Sequence, residues 1–216
     1  MTEGLTVIKR GVASLGTALR TEQLRGLAGE LQGLRHCPPL VRKANGKYEG
    51  DILGFVKGLR FSARVAYFLR EQLPKGSCEV SWGHLLDAEE RSCSPECDII
   101  VHREGLVRKW NDHKTPIMEF AFVSAEKALA VVSCKSVLKQ IDEQYSKSLE
   151  SYGVKHVILF AESCPQRRLA ALRAKALSAG YKGLWCLYTT AKDGSFLDIN
   201  EQDYVDFLEA VKGTLL

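Results

Sequence analysis

From Ala128 onward the chain alternates two kinds of segment: an apolar run too short for a helix, then a longer segment with helical spacing, then another short apolar run. Runs 128–135, 155–161 and 183–189 read as buried strands, and segments 137–151, 165–179 and 201–212 as helices. Pro165 suits a first helical turn, while Tyr152-Gly153 and Gly180-Tyr181 suit helix ends. Strands joined by helical crossovers lie parallel in one sheet, so this half commits the chain to an α/β fold.

The preceding stretch adds strands of another kind. Residues 50–73 carry a helical stripe of Ile52, Phe55, Val56, Leu59, Val65, Phe68, Leu69 and Leu73, stopped by Pro74-Lys75-Gly76. Strands are expected at 78–86, 97–102 and 116–123, with a polar turn at 87–94 and an irregular excursion at 104–114. These front strands are expected to form a meander, making the whole sheet mixed. Ahead of them, Leu15, Leu19, Leu24, Leu27, Leu31 and Leu34 keep helical spacing, but Gly11, Gly16, Gly26, Gly29 and Gly33 break it into short helices. The expected organisation is a basic helical extension over 1–48 and an α/β domain over 49–216.

Composition narrows the class further. At 216 residues the chain can bury a full core, and no apolar run approaches the ~20 residues of a membrane helix. Met1–Val7 shows no basic segment leading into an apolar one, so a cytoplasmic protein is expected, with no membrane partner. Seven scattered cysteines have no disulfide-framework spacing, and Cys134 and Cys186 lie in apolar strand patterns as buried thiols. Charge is uneven: residues 1–76 hold thirteen Lys/Arg against six Asp/Glu, a net +7, and the remainder is net −3. A basic N-terminal third suits an anionic partner, most simply nucleic acid; a solvated helical face is the plain alternative.

Two strands carry chemistry. Asp98 sits at the start of Cys97–His102, and Lys135 near the end of the run beginning at Ala128. An acid and a lysine on two strands can meet around one divalent metal, which would polarise a phosphodiester while the lysine sits near the attacking water. Period-2 alternation places Glu96 with Asp98, and Ser133 with Lys135, while Cys97 and Cys134 turn into the core. Ser133 taken alone also reads as a core hydroxyl, and Glu143 and Glu150 as solvated helix charges. His84, His102 and His113 have no metal-ligand spacing and read as structural.

Ser94-Pro95-Glu96-Cys97-Asp98-Ile99-Ile100, followed by Ala128-Leu129-Ala130-Val131-Val132-Ser133-Cys134-Lys135-Ser136, resembles the core of the PD-(D/E)XK nuclease superfamily. It is most similar to a bacterial branch reading Ser-x-Gln-x-Asp and then Glu-Val-Lys-Ser. The resemblance spans about Phe61 to Phe160. It implies a restriction endonuclease-like three-layer core, a mixed sheet flanked by helices. It implies a Mg²⁺- or Mn²⁺-dependent nuclease acting on nucleic acid, DNA above all, in bacterial defence or restriction, with a homodimer open to it. Asp98 would bind the metal, with Asp98, Ser133 and Lys135 as catalytic residues. Arg42, Lys43, Lys47, Lys57, Arg60 and Arg64 would hold the phosphate backbone. The sequence departs from the pattern at Ser133, where an acid is usual, and at Glu96, where Gln is usual. Glu96, Glu143 or Glu150 would then supply the missing charge. The alternative is a catalytically inactive module of the same fold that binds nucleic acid or a partner protein.

Overall fold

A computed structural model describes residues 50–103, 107–110 and 120–215, with side chains described for 58–103 and 120–215. The extension expected over 1–48, with Arg42, Lys43 and Lys47, lies outside these residues. In chain order the elements are α1 (Gly50–Gln72), β1 (Glu79–Leu86), β2 (Cys97–His102), β3 (Val107–Trp110), β4 (Phe120–Ser124), β5 (Ala128–Val137), α2 (Glu143–Ser151), β6 (Val157–Pro165), α3 (Gln166–Ser178), β7 (Leu184–Thr190), β8 (Phe196–Ile199) and α4 (Glu201–Lys212). Among the described residues, no helix is long and apolar enough to cross a membrane.

The strands form one mixed sheet in the order β3-β4-β1-β2-β5-β6-β7-β8. The parallel block β5-β6-β7 is the one the alternation predicts. Its strands are buried on both faces, which is why they read as unbroken apolar runs rather than alternating ones. The front is not the expected meander. β1 and β5 flank β2 antiparallel, but β4 crosses to the far side of β1 and pairs with it in parallel. β3 lies inside the excursion read as irregular and pairs antiparallel with β4. β8 also escapes the sequence reading, because its four side chains are exposed or half-buried and burial leaves no period in them.

Helices cover both faces. On one, Phe61, Val65 and Leu69 of α1 and Phe207, Leu208 and Val211 of α4 are buried with Ile99, Val132 and Ile158. Phe160 links the two helices, stacking on Phe61 at 5.6 Å and on Phe207 at 4.1 Å between ring centroids. On the other face, Leu149 of α2 and Leu172 and Ala176 of α3 bury against Ile100, Val131 and Leu159. Each fully buried Phe or Leu is worth about 1.5–3 kcal/mol, so packing on both faces outweighs helix propensity. The result is an α/β/α sandwich.

One boundary bears on the site. A helix starting at Val137 is expected, but α2 starts at Glu143. β5 runs on to Val137, and Leu138 N–H donates to the Ser163 carbonyl, extending the contact with β6. The turn then buries Leu138 and Ile141, and Asp142 caps α2 by accepting from the N–H groups of Gln144 and Tyr145. Glu143 is therefore the first residue of the helix.

Candidate active site

β2 starts and β5 ends at the same margin of the sheet, since they are adjacent and antiparallel with Ile99 opposite Val132. Asp98 and Lys135 are thereby brought to one end. A β-bulge sharpens this. Ser81 pairs with Ile100 and Gly83 with Cys97, so Trp82 alone of β1 faces both Asp98 and Ile99 of β2. The extra residue breaks the alternation: Cys97 and Ile100 enter the α2/α3 layer, and Ile99 enters the α1/α4 layer. The two cysteines flanking the site thus go into opposite layers, Cys134 joining Ile99 rather than Cys97. Burial pushes the Cys97 thiol up to about 11 and keeps it protonated at neutral pH.

Asp98 is half-buried, and its Oδ2 accepts from the Cys134 N–H at 2.8 Å. The carboxylate replaces a carbonyl where the β2–β5 ladder gives out. Burial raises its pKa above the ordinary 3.8; the Cys134 N–H and the Lys135 charge pull it down, and the Glu96 charge pushes it up. Asp98, Lys135 and Glu96 line one groove of about 960 Å³, with Gly58 and Ser62 of α1, Ser81 and Trp82 of β1, and Tyr145 of α2. Lys135 is exposed. Glu96 is held at two points: its Oε1 accepts from Trp82 Nε1 at 2.7 Å, and its carbonyl accepts from the Tyr145 hydroxyl at 3.2 Å.

The other expected residues fall elsewhere. Ser133 is 1% exposed and outside the groove lining, and its Oγ is buried with no hydrogen-bond partner. Glu143 is exposed and pairs with Lys175 of α3 at 3.1 Å. Glu150 is exposed on α2, and neither of these acids lines the groove. Lys57 belongs to α1, though its side chain lies outside the described residues; Arg60 and Arg64 are exposed on the same helix, outside the groove lining. Two groove residues were not singled out from the sequence. Tyr145 reads as helix packing, and Trp82 as part of the strand 78–86; in the structure both hydrogen-bond Glu96. Among the described residues no group of three or more His, Cys, Asp and Glu side chains is placed to hold a metal.

No family model and no curated protein matches the sequence. Solved structures share the fold. The chain is similar to NucC of E. coli MS115-1 in its cAAA-bound form, with a TM-score of 0.60 and 14% identity over 92% of this chain and 89% of that one. It is similar to NucC of P. aeruginosa ATCC27853, also cAAA-bound, with a TM-score of 0.59 and 13% identity over 92% and 90% of the two chains. The three-layer sandwich with its mixed sheet is the restriction endonuclease-like fold that the core motifs imply.

Proposed function

We propose that this chain is a metal-dependent nuclease that hydrolyses phosphodiester bonds of nucleic acid, DNA in the first instance, in bacterial defence. The observation that carries the reading is that Asp98, Glu96 and Lys135 line one groove. The shared fold with NucC supports it, and the cAAA held by NucC makes cAAA a ligand to test here. Mg²⁺ takes oxygen donors and commonly uses one or two carboxylates beside water and substrate phosphate. Asp98 and Glu96 fit that donor set, each with one carboxylate oxygen anchored by the protein. When bound, the ion would polarise the phosphate and favour ionisation of a water. Lys135, exposed on the groove lining, would orient that water or balance charge on the leaving oxygen. Arg42, Lys43, Lys47, Lys57, Arg60 and Arg64 would hold phosphates along the backbone, with a steep salt dependence of binding.

The test is cleavage of supercoiled DNA, linear DNA and RNA with Mg²⁺ or Mn²⁺, with and without cAAA. Ion-dependent cleavage that stops with chelator and in Lys135→Ala supports the reading. Intact substrate under every condition overturns it. One observation favours the inactive module instead: the buried, unpartnered Ser133 stands where an acid is usual. Salt-sensitive nucleic-acid binding without cleavage would establish that alternative.

A further inference from the structure

The PD-(D/E)XK pattern places its second acid two residues before the lysine, and here that residue is the buried Ser133. Glu143 is engaged with α3, and Glu150 sits outside the groove. Glu96 alone of the expected donors shares the groove with Asp98. Its surroundings differ from those of an ordinary surface acid. The segment leading to it is tied to β1 three times over. Ser94 Oγ accepts from Leu85 N–H at 2.9 Å, Ser94 N–H donates to the Leu85 carbonyl at 2.8 Å, and His84 Nδ1 donates to the Ser94 carbonyl at 2.7 Å. The Tyr145 hydroxyl then fixes the Glu96 carbonyl from α2.

The carboxylate itself is aimed by Trp82. The indole N–H meets Oε1 at 2.7 Å, and the indole is braced edge-on against Phe120 at 4.8 Å, which in turn contacts Phe122 at 5.3 Å and His84 at 5.4 Å. That brace depends on β4 lying close against β1. At Gly83, next to Trp82, φ is +148°, and an added Cβ would stand 1.9 Å from the Ala121 carbonyl oxygen. The tryptophan N–H and the aromatic stack hold this glutamate in one place, and a carboxylate that must stand beside another carboxylate gains from being so fixed. Fixing both in advance avoids ordering them against their own repulsion when a cation arrives.

We propose that Glu96 is the second carboxylate of the site, taking over from position 133, and that Trp82 is the positioning residue that holds it toward Asp98. The inference rests on the nuclease reading above and assigns the source of its missing acid. The acid has moved from β5 to the lead-in of β2, and its orientation comes from β1 rather than from the strand that carries the lysine.

The experiment uses Mn²⁺ as the probe on the full chain, with affinity measured by calorimetry and by the electron paramagnetic resonance signal of free ion. Glu96→Gln keeps an acceptor for Trp82 and removes the charge. Trp82→Phe keeps the ring against Phe120 and removes the N–H. Both variants should bind Mn²⁺ roughly tenfold or more weakly, in the range found for lost ligand supports. Cleavage by Trp82→Phe should recover at high Mn²⁺, while its melting temperature stays close to wild type. A packing role alone would lower the melting temperature and leave Mn²⁺ affinity unchanged, overturning the assignment of Trp82. If Trp82→Phe does not fold, Glu96→Gln at its exposed position decides. Wild-type Mn²⁺ affinity in Glu96→Gln, with affinity lost in Asp98→Asn, overturns this inference and leaves the nuclease reading standing. No Mn²⁺ binding by the wild type removes both.

Discussion

The two halves of the sheet are built by different means. In the parallel block β5-β6-β7, regular pairing and two-sided burial carry nearly everything, and side chains in the interior of β6 are buried without exception. At the front, the parts near the groove are irregular: a bulge at Asp98–Ile99, a glycine at φ +148°, and a strand crossing over to pair in parallel. Repetition gives the back half rigidity. Departures from repetition give the front half its polar groups, because a strictly alternating β2 would have put Ile99 in the layer Cys97 occupies.

Substitutions can break that contrast, and the largest effect belongs to the front. Gly83→Ala places a methyl group against the Ala121 backbone at a φ that side chains rarely adopt. It should cost more than about 4 kcal/mol and leave little soluble protein. Gly153→Ala, with φ +80° and open space for a Cβ, should cost only about 1 kcal/mol. Chemical denaturation of the two variants compares them; similar melting would mean that the front strands yield more readily than their packing implies.

Next is Lys135→Ala. Removing a charge that acts at a reacting centre commonly reduces rates by about a hundredfold or more. An exposed lysine should meanwhile change stability by less than about 0.5 kcal/mol. Single-turnover cleavage and a melting curve on the same sample separate the two effects. Residual cleavage near wild type would move the chemistry away from the end of β5.

A smaller effect concerns Asp98 and pH. Burial raises its pKa above 3.8, so the folded chain keeps a proton that the unfolded chain has released. The stability deficit is absent below 3.8, grows as pH climbs toward the folded value, and is constant above it. Asp98→Asn retains an acceptor for the Cys134 N–H and cannot ionise. Its melting temperature should exceed wild type at neutral pH, with the difference shrinking in acid, while cleavage is lost. A difference that does not vary with pH would show that burial of Asp98 has no thermodynamic consequence.

The smallest expected change is in Ser133→Ala. Removing a buried hydroxyl that has no partner should stabilise the fold by about 1 kcal/mol and leave Mn²⁺ affinity unaltered. Loss of metal binding would restore Ser133 to the site.

Much of this was legible in the residues. The alternation after Ala128 gives the parallel block, and the patterns around Asp98 and Lys135 put them on two strands that are neighbours in the sheet. The bulge was not legible, since one extra residue in β2 leaves the apolar run Ile99-Ile100-Val101 looking continuous. The start of α2 was missed because Leu138 and Ile141 continue an apolar spacing that a buried turn satisfies as well as a helix. That error carried Glu143 deep into the helix and kept Tyr145 from view as a groove residue. Ser133 sits in its expected strand and is buried, as its reading as a core hydroxyl has it; the resemblance, and not the local pattern, is what placed it in the site.

On the proposed reading Asp98 would answer two demands at once, because its carboxylate also closes the sheet at the Cys134 N–H. A descendant that abandoned the chemistry would still be held to an acceptor at this position by its backbone. Lys135 is under no such constraint, since it stands exposed at a strand end. In a lineage of such proteins, then, an aspartate here would be inherited as architecture, and drift would show first at the lysine. Retention of that lysine across distant members, more than retention of the acid, would be the mark of a living enzyme.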